Sequence, residues 1–162
     1  MSPRKSSAKG GAPDDPAAAR TRALRLLARR EHGARELEYK LAQRGIAEER
    51  AAEVVGELAR SGWQSDARYV SSLVRARVAQ GFGPLRIESE LEAAGVADGL
   101  IRETLAAAVT DWKALAVEVH ARKFGQIPKN GGEWQKQYRH LAGRGFESDH
   151  IYAALKRQPP EE

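Results

Sequence analysis

Apolar and small residues recur along this chain with a long period. Leu41, Leu91 and Leu141 stand 50 residues apart, and so do Gly45, Gly95 and Gly145. Each glycine is followed by an apolar residue: Ile46, Val96 or Phe146. Further on, Ala51, Ile101 and Ile151 align, as do Val55, Leu105 and Leu155. Five columns in register establish an internal repeat. In each copy the Leu-x-x-x-Gly step ends a short helix, with glycine in the left-handed C′ position and the next apolar residue closing a Schellman-type cap. An acidic start follows at Ala47-Glu48-Glu49, Ala97-Asp98 and Glu147-Ser148-Asp149, where negative charge suits a helix N-terminus. The apolar pairs 51/55, 101/105 and 151/155 then share one face of the next helix.

Longer helices precede this unit in the first two copies, so the pattern predicts nine helices, near 16–31, 34–43, 47–60, 66–80, 84–93, 97–110, 112–124, 132–143 and 148–157. Asp15 is a suitable N-cap with Pro16 at the first helical position, and Pro84 takes the same role after the Gly81-Phe82-Gly83 turn. Ile101, Leu105, Ala108, Trp112, Leu115 and Val119 step by fours and threes, which leaves open one continuous rod across the sixth and seventh helices. In the third copy the loop 125–132 is longer. The expected organisation is a disordered basic tail at 1–14, three-helix repeats at 15–63, 64–111 and 112–157, and a C-terminal tail at 158–162. The fold class is all-α: three tandem three-helix repeats forming an elongated, curved helical body.

Composition thins the expected core. Alanine supplies 28 of the 162 residues and aromatics only 6%, so helices must approach over small side chains. The absence of cysteine excludes disulfides and thiol chemistry. No apolar run approaches the ~20 residues of a membrane span. The start, Met1 to Gly10, is basic and lacks the apolar stretch of a secretory signal, so a cytoplasmic protein is expected; no membrane contact is expected, and the protein is taken as a monomer. The net charge is +5. It is unevenly spread, with 13 basic against 9 acidic residues in 1–63, 5 against 7 in 64–112, and 9 against 6 in 113–162. Basic ends around an acidic middle fit a partner surface of mixed charge better than bare DNA.

Candidate chemistry is sparse. His32, His120, His140 and His150 show no metal-ligand spacing and are expected at the surface or at helix ends. No phosphate-binding loop or nucleophile elbow is present, so neither an enzyme nor a cofactor is expected. Trp63, Trp112 and Trp134 fall at repeat junctions and, with the tyrosines and phenylalanines, are expected to pack there. Basic segments are the stronger signal. Arg20, Arg22, Arg25, Arg29, Arg30 and Arg35 crowd the first repeat, and Arg22, Arg25 and Arg29 share a helix face. Arg75, Arg77 and Arg86 flank the Gly81–Pro84 turn, and Lys123, Lys129, Lys136, Arg139 and Arg144 make the third repeat basic.

These residues carry a resemblance. The run Leu58-x-x-x-Gly62-Trp63-x-x-Asp66-x-Arg68-Tyr69, continued by Arg75-x-Arg77-x-x-x-Gly81-Phe82-Gly83-Pro84-x-Arg86-Ile87-x-x-Glu90-Leu91, resembles the RecX family, bacterial regulators of the RecA recombinase. Upstream, Ala28-Arg29-Arg30-Glu31-His32-x-x-x-Glu36-Leu37-x-x-Lys40-Leu41 looks like that family's first repeat, and Arg144-Gly145-Phe146-x-x-Asp149-x-Ile151 like its third. Two places depart from the pattern. Ser65-Asp66 offers one carboxylate where an acidic pair is common, and Gly131-Gly132-Glu133-Trp134 is looser. The resemblance implies a non-enzymatic modulator that binds the RecA nucleoprotein filament, obstructs its growth, and lowers its ATPase and strand exchange. Single- or double-stranded DNA is a further candidate partner. The contact residues expected on charge are Arg25, Arg29, Arg30, Arg75, Arg77, Arg86, Lys123, Lys136 and Arg144, pairing with acidic protein rims or the DNA backbone. The alternative is a free-standing DNA-binding module of helix-turn-helix type.

Overall fold

The computed structural model describes residues 15–108 and 111–156; the expected tails at 1–14 and 158–162 lie outside them. Among the described residues the chain is all-helical, with α1 (Pro16–Arg29), α2 (Ala34–Gln43), α3 (Glu48–Arg60), α4 (Asp66–Ala79), α5 (Pro84–Ala93), α6 (Asp98–Ala107), α7 (Trp112–Phe124), α8 (Gly131–Gly143) and α9 (Ser148–Leu155).

The repeated glycines end their helices as the 50-residue columns require. Gly45, Gly95 and Gly145 have φ of 87°, 77° and 94°. In each copy the amide after the glycine donates back to the column leucine: Ile46 to Leu41 O, Val96 to Leu91 O and Phe146 to Leu141 O, at 3.3, 3.2 and 3.2 Å. Those three apolar residues are buried, so the cap and its hydrophobic contact form together. At the other ends, the Asp15 side chain accepts from Ala17 N, and Pro84 starts α5. The possible rod across the sixth and seventh helices does not form. Ala108 is extended after α6, and the Asp111 side chain caps α7 by accepting from Ala114 N at 3.0 Å. α1 also stops two residues short of its expected end, where Arg30 turns extended.

The chain gathers into two compact units, Met1–Tyr69 and Val70–Glu162, and the division falls inside α4. In the first unit α1, α2 and α3 pack on one another. Ala19, Ala23, Leu37, Leu41, Ile46, Ala51, Val54, Val55 and Leu58 form the core. Alanines on α1 let its backbone approach its neighbours closely, which is how a chain poor in large side chains still fills its interior. In the second unit α7 packs against α9 and α8, around Ala116, Val119, Leu141, Phe146, Ile151, Ala154 and Leu155. α5 packs on α6 in the same unit, and Ile87, Leu91, Val96 and Ile101 are buried there.

Candidate partner-binding surface

In the first unit the cations divide into those fixed by the fold and those left open. Arg30 lies at the end of α1 and forks onto Glu36, donating at 3.1 and 2.7 Å to its two oxygens. Burial pushes the Glu36 carboxyl up, yet hydrogen bonding and charge from Arg30, with His32 and Lys40 nearby, hold it below the usual glutamate range. Arg25 and Arg29 are exposed on α1 with no carboxylate partner among the described residues.

The turn after α1 is held by a buried histidine. His32 is 1% exposed. Its Nδ1 faces the Arg30 carbonyl at 3.0 Å, which can only accept, so Nδ1 carries the proton. Nε2 then offers a lone pair to the Lys40 ammonium, 3.0 Å away. Burial lowers the His32 pKa and outweighs the raising effect of the Arg30 carbonyl, which agrees with a neutral ring. The same turn is gripped from the α4 end. Asp66 Oδ1 accepts from Ala34 N at 2.8 Å and from Gln64 Nε2 at 2.9 Å, while Gln64 Nε2 also reaches the His32 carbonyl at 3.2 Å. Asp66 thereby caps α2, whose own N-cap residue, Gly33, has no side chain to do so.

In the second unit the turn before α5 docks through backbone. Gly83 N donates to Arg144 O at 2.8 Å and Leu85 N to Gly145 O at 2.9 Å. A Cβ on Gly83 would lie 2.4 Å from Gly145 O, and one on Gly145 would lie 2.5 Å from the Arg86 Cβ. Only paired glycines allow this approach. Phe82 is covered by two guanidiniums, Arg86 at 4.1 Å and Arg144 at 4.2 Å from its ring centre. Arg144 also donates to the Gln80 and Gly81 carbonyls. Arg77 forks onto Glu90 at 2.8 and 2.6 Å; its hydrogen bond, outweighing burial, lowers the Glu90 pKa.

The expected contact residues therefore fall into two sets. Arg25, Arg29, Arg75, Lys123 and Lys136 are exposed and carry no ion pair among the described residues. Arg30, Arg77, Arg86 and Arg144 are engaged with turns and helix ends. Two sequence expectations need correction. His120 is neither superficial nor at a helix end but buried within α7, where its Nε2 donates to the Gln137 amide oxygen at 2.6 Å; His32 lies at a helix end as expected, yet is buried there. Trp63 is 58% and Tyr39 64% exposed, so neither serves as junction packing. Trp134 does pack, against Tyr138 and Tyr152 with ring centres 5.1 and 6.2 Å away. The structural roles of Asp66, Gln64 and the Gly83–Gly145 pair are not evident in the sequence. The one cue for the glycines is the Gly81-Phe82-Gly83-Pro84 run, whose turn is legible and whose docking partner is not.

Among the described residues no group of three or more His, Asp or Glu is placed to hold a metal ion. No helix there is long and apolar enough to cross a membrane.

Together these features define an all-helical protein of tandem three-helix units whose cations are carried on helix faces and turns. Family models for the RecX first, second and third three-helix domains match residues 19–58, 65–105 and 111–155. The chain belongs to the RecX family. It is 46% identical over 138 residues to the regulatory protein RecX of Halorhodospira halophila, covering 85% of this chain and 86% of that one. The regulatory protein RecX of Pseudomonas entomophila is 44% identical over 139 residues, covering 85% and 90%. The crystal structure of RecX from Lactobacillus salivarius superposes with a TM-score of 0.74 at 23% identity, over 90% of this chain and 97% of that one, and shares the fold.

Proposed function

We propose that this protein is a non-enzymatic regulator of RecA: it binds the RecA–DNA filament and limits its growth, ATPase and strand exchange. Its action falls on homologous recombination and DNA repair in the cytoplasm, as a monomer with repeats at 15–63, 64–111 and 112–157. The observation that carries the reading is family membership across all three repeats, among relatives called regulatory protein RecX. Charge supports it. Of the expected contact residues, Arg25, Arg29, Arg75, Lys123 and Lys136 are left for a partner, whereas Arg30, Arg77, Arg86 and Arg144 are engaged at turns and helix ends.

The test is RecA ATPase on single-stranded DNA, titrated with this protein. Inhibition is expected, and reversing Arg25, Arg29 and Arg75 to Glu should relieve it while helicity is unchanged. Full inhibition by that triple variant would overturn the contact assignment. A free-standing helix-turn-helix module would bind DNA alone and leave the ATPase untouched, and that outcome would overturn the regulatory reading.

A further inference from the structure

We propose that the cleft between α1 and α2, lined by Arg22, Leu26, Lys40, Gln43 and Arg44, seats a backbone phosphate of a nucleic-acid strand. The proposal deepens the filament reading and rests on it, since the strand would be the filament's DNA. The cleft holds about 250 Å³ and no carboxylate lines it. Arg22 and Arg44 make no ion pair among the described residues, so their guanidinium forks are available to phosphate oxygens.

Lys40 is the pre-positioned member. Its ammonium is held at 3.0 Å by the buried His32 ring and lies 3.9 Å from Glu36, whose charge is already engaged by Arg30. A neutral imidazole accepts one of the three ammonium protons, leaving the positive charge and the other two donors for an anion. Ordering of this long side chain is thus built into the fold and need not be imposed on binding.

One neighbouring feature favours a strand over an isolated anion. On α1 the exposed Arg25 and Arg29 continue the row begun by Arg22, spreading charge over about 10 Å of helix. Regularly spaced phosphates match such a row. The groove on the other side of α2 makes the opposite case: Glu38, Glu48 and Glu49 line it beside Arg35 and Tyr39, and would repel a phosphate. In the second unit a cleft lined by Arg122, Lys123, His140 and Arg144 is the nearest competitor. There Arg122 is paired with Glu118 and Arg144 is bound to carbonyls. Burial, with Lys123, Arg144 and His120, lowers the His140 pKa. Its free charge is correspondingly small.

The test is fluorescence anisotropy of a labelled single-stranded oligonucleotide with the full chain, without RecA, across a salt series. Arg22→Ala with Arg44→Ala should weaken binding about tenfold. The slope of log affinity against log salt should fall by about 0.7 for each phosphate that the variant no longer engages. Arg60→Ala with Arg102→Ala removes the same charge outside the cleft and should change affinity far less; equal losses in the two pairs would overturn the site. So would wild-type protein that fails to bind the oligonucleotide at low salt. Inorganic phosphate that abolishes binding at constant ionic strength would reassign the cleft to free phosphate. An oligoglutamate peptide that binds more tightly than the oligonucleotide through the same two arginines would reassign it to acidic protein. Helical circular dichroism must match wild type for each variant. Because RecA is absent, failure here leaves the filament reading to its own ATPase test.

Discussion

The turns at 30–36 and 80–86 occupy the same place in successive repeats, yet they are held by different kinds of contact. Around His32 and Gly33 the grip is made by side chains: Asp66 and Gln64 supply hydrogen bonds, and the Tyr69 ring lies 3.1 Å from where a Gly33 Cβ would be. Around Gly83 it is made by main chain, amide to carbonyl, with Gly145 as the opposing surface. Side-chain grips can be relaxed atom by atom, because a rotamer or a ring can shift. Main-chain grips either fit or fail. The comparison shows how a duplicated unit keeps its geometry while the chemistry that secures it diverges.

The sharpest way to break the second turn is Gly83→Ala. Its φ of −87° suits alanine, so the whole penalty is steric, and the opposing atoms are backbone. Overpacking plus the disruption of two hydrogen bonds predicts a destabilisation of about 3 kcal/mol or more in urea unfolding. A value below about 1 kcal/mol would show that the 144–146 segment yields more easily than a packed backbone should. For the first turn the corresponding lesion is Asp66→Ala, which strips the acceptor from Ala34 N and from Gln64. About 1–3 kcal/mol is expected, with Asp66→Asn recovering much of it because Oδ1 is kept.

Titration separates the turns further. The folded His32 pKa lies below its ordinary 6.5, so its contribution is complete above that pH. As pH falls below 6.5 the unfolded chain takes up a proton that the folded ring resists, and stability declines until pH passes the folded value. His140, lowered in the same sense, adds to the slope from the second unit. Glu36 and Glu90, both lowered from 4.5, extend the loss below that pH. His32→Gln should flatten the decline that begins below pH 6.5; an unchanged profile would show that His32 does not contribute to it. The smallest effect belongs to Gly33→Ala. Tyr69 needs to move only a few tenths of an ångström, and the alanine restricts the unfolded chain, so the net change should stay within about 1 kcal/mol.

Much of this is legible in the residues. The 50-residue columns locate the caps, and helix ends differ from expectation by two residues at most, apart from the ends expected at 110 and 157, which lie outside the described residues. Local rules suffice there, because a Schellman cap is decided by residues within about six positions of one another. What sequence reasoning misses is decided by how the folded turns bring side chains and carbonyls together. Nothing adjacent to His32 announces that Lys40 and the Arg30 carbonyl will satisfy its ring, and Asp66 caps a helix 32 positions upstream. The basic candidates are visible as charges, but whether an arginine is open to a partner depends on carboxylates and carbonyls that only folding brings near. Arg77 and Arg25 look alike in the sequence for that reason.

The Gly83–Gly145 contact also carries a kinetic consequence. It joins positions 62 apart, 145 minus 83, while the first unit is built from three successive short helices. Closing a loop of that length costs chain entropy before any interlocking bond rewards it. The first unit's turn is closed over 32 positions, from Ala34 to Asp66, whereas residues 80–86 must wait for the chain up to Phe146 to be in place. The amides of Gly83 and Leu85 therefore become the clock of the second unit: they gain protection from hydrogen exchange at its last folding step and lose it when the whole unit opens.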